Sequence, residues 1–271
     1  PLLAIVFTLL GGCSVLGPTH DVKGPVPLNK AVAEVPESQL LDVWIELFDP
    51  GELPEDEDEA MGLSMDIRDA EARYIPEQLR ATMESTGHWG AVRVVPQETT
   101  GAELLVQGSI IASDGERLAL QIKAFDASGL EWFDRAYEQE LIDGVYKARN
   151  LLRNPPARDV FQSLYNTIAN DLAEFRRNLT ARDIVTLRRV AELRFAADLS
   201  PEAFADDLQV DKNGRYTVVH LPAADDPMYQ RVLAIRDRDF LLIDTLNGHF
   251  DNFCREMDTP YNEWRKARSE E

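Results

Sequence analysis

"AELLVQGSIIASDGERLALQIKAFDASG", residues 102–129, decides the fold. It holds two β-rich runs joined at Ser113-Asp114-Gly115-Glu116, a turn signal that makes the pair a hairpin. The Asp126–Gly129 turn then leads into "LEWFDRAYEQE" (130–140), a third strand. Upstream, "AVRVVP" (91–96) is a short strand and "LLDVWIELF" (40–48) another. Between them "DIRDAEARYIPEQLRATMESTG" places Ile75, Leu79 and Met83 on one helical face, and Gly87 marks its stop. The order over 39–142 is strand, helix, strand, strand, strand, strand. This predicts a small α/β domain with a mainly antiparallel or mixed sheet.

Residues 143–271 read as mostly helical, which makes the whole chain α+β. "RNPPARD" punctuates the junction at Asn154–Pro156. Val160, Leu164, Ile168, Leu172, Phe175 and Leu179 form the stripe of one amphipathic helix. Ile184, Leu187, Ala191 and Phe195 mark a second, and Ser200-Pro201-Glu202 opens a short third. "LQVDKNGRYTVVHLP" is a small hairpin within 208–221, with Asn213-Gly214 at its tip. The stretch 227–268 is one long helix or a broken pair, which Pro260 is expected to end or kink.

"IPEQLRATMESTGHWGAVRVVP" and "AELLVQGSIIASDGERLALQIKAFDASG" together resemble the small α/β domain of the TolB N-terminal, CsgG and LpoB type. The likeness spans about 100 residues and carries no catalytic motif. The acidic insert at 49–62 departs from the pattern, and no pore or peptidoglycan-binding segment is recognisable. The resemblance implies a fold used for docking, and fold alone does not transfer function.

The apolar run Leu2–Leu10 is shorter than the roughly 20 residues that a span needs. It suits the core of a secretory signal, whose basic segment is expected upstream of Pro1. Leu10-Gly11-Gly12-Cys13 resembles the bacterial lipobox. That resemblance implies cleavage between Gly12 and Cys13, and acyl chains on Cys13. Ser14 in the next position implies sorting to the outer membrane. The alternative is a buried N-terminal strand with an incidental Cys. On the lipobox reading, residues 1–12 are a signal remnant and residues 13–38 a lipidated Cys and semi-extended tether.

Net charge is −20. Such a surface repels phosphate backbones and anionic head groups, which excludes nucleic acid and a basic membrane-binding face. Of the two cysteines, Cys254 is left without an intramolecular disulfide partner once Cys13 is acylated. Its apolar neighbours mark it as a buried, inert thiol.

No segment carries a catalytic signature. Residues 49–59 hold seven acids and no base, a solvated loop without the glycine and spacing of a calcium loop. "DKNGRY" (211–216) is a turn. His20, His88, His220 and His249 have no ligand-spaced companions, so neither metal nor cofactor is expected. Trp44, Trp89, Trp132 and Trp264 read as core, with Trp89 and Trp132 as alternative groove caps. Arg231, Arg236, Asp237, Arg238, Asp239 and Asp244 share one helix. They read first as ion pairs on a wet face, and second as a polar cleft.

The expectation is a lipid-anchored envelope lipoprotein, facing the periplasm and docking non-catalytically to an envelope protein complex. The alternative is an enzyme or small-ligand binder with its site between the two parts. A homo-oligomer through the stripe at 239–257 (Ile243, Leu246, Phe250, Phe253, Met257) is a third possibility.

Overall fold

The computed structural model describes residues 19–56, 62–97, 99–142, 145–146 and 159–269. The expected hairpin forms its centre. Strands β4 (Leu104–Ser113) and β5 (Arg117–Asp126) pair antiparallel, and β6 (Glu131–Glu140) continues antiparallel on β5. On the other side of β4 lies β2 (Val43–Glu46), then β3 (Val92–Val95), each parallel to its neighbour. A two-residue strand β1 (His20–Asp21) runs parallel along β6. The order is β1-β6-β5-β4-β2-β3, a mixed six-stranded sheet.

Helix α1 (Met65–Glu84) is the crossover that the parallel pair β2 and β3 requires. Ser64 caps it by accepting the Ile67 N–H at 3.3 Å, and Ile75, Leu79 and Met83 are fully buried. Gly108 of β4 has a packing reason, because a Cβ there would stand 2.5 Å from the Phe48 ring.

Helix α2 (Gln162–Arg177) packs beside α1. Its Leu164, Tyr165, Ile168 and Leu172 belong to the same buried cluster as Leu104, Val106, Leu120 and Ile122. The core therefore runs on past residue 142, where the sequence suggested a change from an α/β part to a helical one. Helix α3 (Ala181–Leu199) starts in a capping box built by Thr180 and Asp183. The short α4 (Pro201–Phe204) follows Ser200, whose side chain makes no capping bond. Strands β7 (Leu208–Val210) and β8 (Tyr216–Val218) form the small hairpin, with Gly214 at φ 77°.

Two expectations are corrected. Pro260 neither ends nor breaks the last helix, α5 (Pro227–Arg268), which runs unbroken for 42 residues. Pro260 is exposed, so the Glu256 carbonyl that loses its partner faces water, while Cys254, Tyr261 and Arg265 on the inner side hold the helix in place.

The second correction concerns the tether. From His20 onward this segment is bound to the body. The Val22 N–H donates to the Glu138 carbonyl at 2.7 Å. Three α2 side chains on one face then grip the backbone beyond it. Ser163 accepts from Val26 N–H at 3.1 Å, and Asn166 donates to the Val26 carbonyl at 2.7 Å. Asn170 accepts from Asn29 N–H at 2.8 Å and donates to the Pro27 carbonyl at 2.9 Å. A polar, proline-broken stretch carries no strand period, so these bonds leave no trace in its pattern.

Candidate functional site

Parallel strands in register bring their beginnings together. Val43 stands opposite both Val92 and Leu104. The residues just before them, Asp42, Ala91 and Glu103, therefore meet at one end of the sheet. Over that end pass Arg188 from α3 and Arg236 and Phe240 from α5. They enclose a cavity of about 630 Å³ with Glu37, Ser38 and Leu40.

The polar groups of this cleft are mostly engaged with each other. Asp42 accepts from Ala91 N–H at 2.9 Å and from Arg93 at 3.0 Å. Arg93 also donates to Asp244 at 2.7 Å. Burial lowers the Arg93 pKa, but the carboxylates of Asp244 and Asp42 outweigh it and the net shift is upward. Glu103 accepts from Asp42 N–H and from Arg188, each at 3.0 Å, while its burial raises its pKa. Arg188 reaches on to the Leu40 carbonyl at 2.7 Å.

Arg236 is the exception. It is 8% exposed, its Nε has no partner, and its Nη2 meets the Gly101 carbonyl at a long 3.4 Å. The nearest carboxylate, Glu192, is 3.9 Å away. The Phe240 ring lies 4.8 Å from the Arg236 Cζ, and Arg93 approaches the same ring at 4.6 Å. Burial lowers the Arg236 pKa. A buried guanidinium with spare donors beside a cavity suits a carboxylate or phosphate group. Asp42 and Glu103 are held as acceptors in ion pairs, and no histidine among the described residues lines the cleft, so the geometry is that of a clamp.

Of the sequence-selected residues, Arg236 reaches the cleft and Asp244 supports it through Arg93. Arg231, Asp237 and Asp239 are exposed and do not line it. On one helix of 3.6 residues per turn, these six side chains point in several directions, so only a fraction of them can face any single cleft. Cys254 is buried and its thiol is pushed up to about 12 by burial, as an inert thiol should be. Trp44, Trp89 and Trp132 are core. Among the described residues no group of His, Cys, Asp and Glu suits a metal ion, and no helix is long and apolar enough to cross a membrane. Gly12, Cys13, the acids at 57–59 and the Asn154–Pro156 junction lie outside the described residues.

Sequence reasoning missed a second buried polar cluster, where the end of α5 meets α1. Arg265, fully buried, donates to Asp159 at 2.7 Å and to Tyr261 Oη at 2.9 Å. Tyr261 in turn donates to Glu71, as does Ser113 at 2.5 Å. Tyr74 donates to Asp159 at 3.2 Å. These partners lie up to 190 residues apart. The outer face of α5 carries exposed Leu241, Leu242, Leu246 and Phe253.

Comparison with protein-family models, with curated proteins and with solved structures finds no match for this chain.

Proposed function

We propose that this chain is a bacterial envelope lipoprotein, held by lipid on Cys13 and acting as a non-catalytic docking or accessory subunit of an envelope complex at the periplasmic face of the outer membrane. The observation that carries the reading is the bound-down segment after His20. Only residues 14–19 separate the lipobox cysteine from β1. Seven backbone steps reach about 25 Å at most. A body on so short a leash works at the membrane surface and meets its partner there. The engagement of Asp42 and Glu103 with arginines favours a structural role for them over acid–base chemistry. Acyl chains supply about 0.8 kcal/mol per buried CH₂, and two or more give lasting attachment.

The test is mass spectrometry of the N-terminal peptide together with in-cell crosslinking. The expected result is acylated Cys13, loss of membrane attachment in Cys13→Ser, and capture of a small set of envelope proteins. A flexible Gly/Ser insert after Ser14, long enough to add about 50 Å, is expected to leave acylation intact and to weaken that capture. An unmodified Cys13 sinks the proposal. A second reading, a small-ligand binder, is favoured by the spare donors of Arg236 beside its cavity. It gains if a carboxylate or phosphate ligand protects the chain against thermal unfolding and Arg236→Met abolishes the protection.

A further inference from the structure

The inner line of α5 is regular. Tyr229, Asn247 and Arg265 recur every 18 residues, five turns, and all three are buried. That fixes the outer line. At about 100° per residue, Arg238, Thr245, His249 and Glu256 lie within about 20° of the direction opposite Asn247. Leu242 and Phe253 flank this line on one side, and Leu241 and Asn252 on the other. All eight are exposed. The apolar members are 67% (Leu241), 59% (Leu242) and 37% (Phe253) exposed.

This face is self-complementary. Set against its own copy, antiparallel, with the two-fold axis level with Asn247, it brings Arg238 opposite Glu256 of the second copy. Thr245 falls opposite His249, Leu242 packs on Phe253, and Leu241 meets Asn252. The symmetry makes each contact twice. Within its own chain, neither Arg238 nor Glu256 forms an ion pair among the described residues. Opposite charges at the two ends of one face favour an antiparallel two-fold pairing, and this helix carries them in Arg238 and Glu256.

We infer that α5 pairs two copies of this chain through Arg238, Leu242, Thr245, His249, Phe253 and Glu256. The occupant of the face is a second copy. Eight residues a side fall short of the roughly 20–30 of a standard interface, so the dimer is weak in solution. The inference does not depend on lipid. Where a lipid holds both copies in one membrane, their effective concentration rises and the pairing is reinforced.

The experiment is sedimentation equilibrium of the full chain carrying Cys13→Ser, at near-physiological ionic strength. The wild-type face is expected to dimerise with a dissociation constant on the order of 10–100 μM. Arg238→Glu turns both end pairs into repulsions and is expected to weaken the dimer at least about tenfold. Arg238→Glu combined with Glu256→Arg restores opposite charges and is expected to return within about threefold of the starting affinity. Both positions are exposed, so the variants keep the fold, which circular dichroism checks. A chain that stays monomeric to about 1 mM overturns the inference. So does a dimer indifferent to Arg238→Glu, or one that the double variant fails to restore.

Discussion

Asn247 holds Val94 as a neighbouring strand would. Its Oδ1 accepts the Val94 N–H at 2.7 Å, and its Nδ2 donates to the Val94 carbonyl at 2.9 Å. Strand β3 is the last of its sheet, and an unpaired edge invites pairing with another chain. One amide on α5 closes it.

Replacing Asn247 by Leu is therefore expected to cost about 2–3 kcal/mol, since both Val94 groups lose their partner in a buried place. Asn247→Asp keeps the acceptor but sets a carboxylate against the Val94 carbonyl, and is expected to be at least as damaging. Urea unfolding measures the loss. Hydrogen exchange at Val94 localises it, and unchanged protection there in Asn247→Leu would refute the assignment.

Arg265 and Asp159 are both fully buried. Arg265→Ala leaves the buried carboxylate without its counter-charge and is expected to cost about 3–5 kcal/mol. Arg265→Lys is not expected to rescue, because a single ammonium cannot serve Asp159 and Tyr261 while lying 3.9 Å over the Tyr261 ring. Equal unfolding midpoints for the Lys variant and the wild type would contradict this.

Stability depends on pH through Glu77. Burial pushes its carboxyl up to about 7, from an ordinary 4.5. Between those values the folded chain holds a proton that the unfolded chain has released. Stability therefore falls as pH rises through this window, by up to about 3 kcal/mol for this one group. Glu71, Glu84 and Glu103 are shifted the same way, each chiefly by burial. Glu77→Gln is thus expected to reduce the slope of stability against pH between about 5 and 7 without abolishing it. Urea titrations across that range read it directly.

Pro260 removes one bond from α5 without ending it. Pro260→Ala restores an N–H to reach the Glu256 carbonyl and is expected to add about 1–2 kcal/mol, part of the helix gain being offset by a more flexible unfolded chain. A lowered melting temperature would mean that the proline ring itself is needed for packing.

Arg236 tests the cleft. A buried guanidinium so poorly satisfied is expected to be replaceable by Met at no cost, or with a gain of up to about 1 kcal/mol. A loss above about 2 kcal/mol would show that Glu192, Gly101 and Phe240 already satisfy it.

The strands and helices were legible because their signals are local. Turn residues punctuate β4, β5 and β6, and Gly115 and Gly129 take the positive φ of 97° and 79° that those turns ask for. The neighbours of a strand are a different matter. Nothing in "LLDVWIELF" says that β2 will lie between β3 and β4, because an apolar run pairs equally well with any other. Strand β1 is two exposed polar residues and has no pattern to find. In the cleft, Arg236 was legible as one of six charges on a helix, but Asp42, Glu103 and Arg188 come from other elements, and only the parallel register gathers them. The cluster around Arg265 joins residues from both ends of the chain, where charged side chains are ordinarily read as surface.

The closure of β3 also sets a clock. Asn247 comes 153 residues after Val94. At about 5–20 residues per second, a growing chain leaves that strand bare for roughly 8–30 s. For that interval the newborn protein needs shelter, from a chaperone or from confinement, and a truncation that stops short of α5 would never end it.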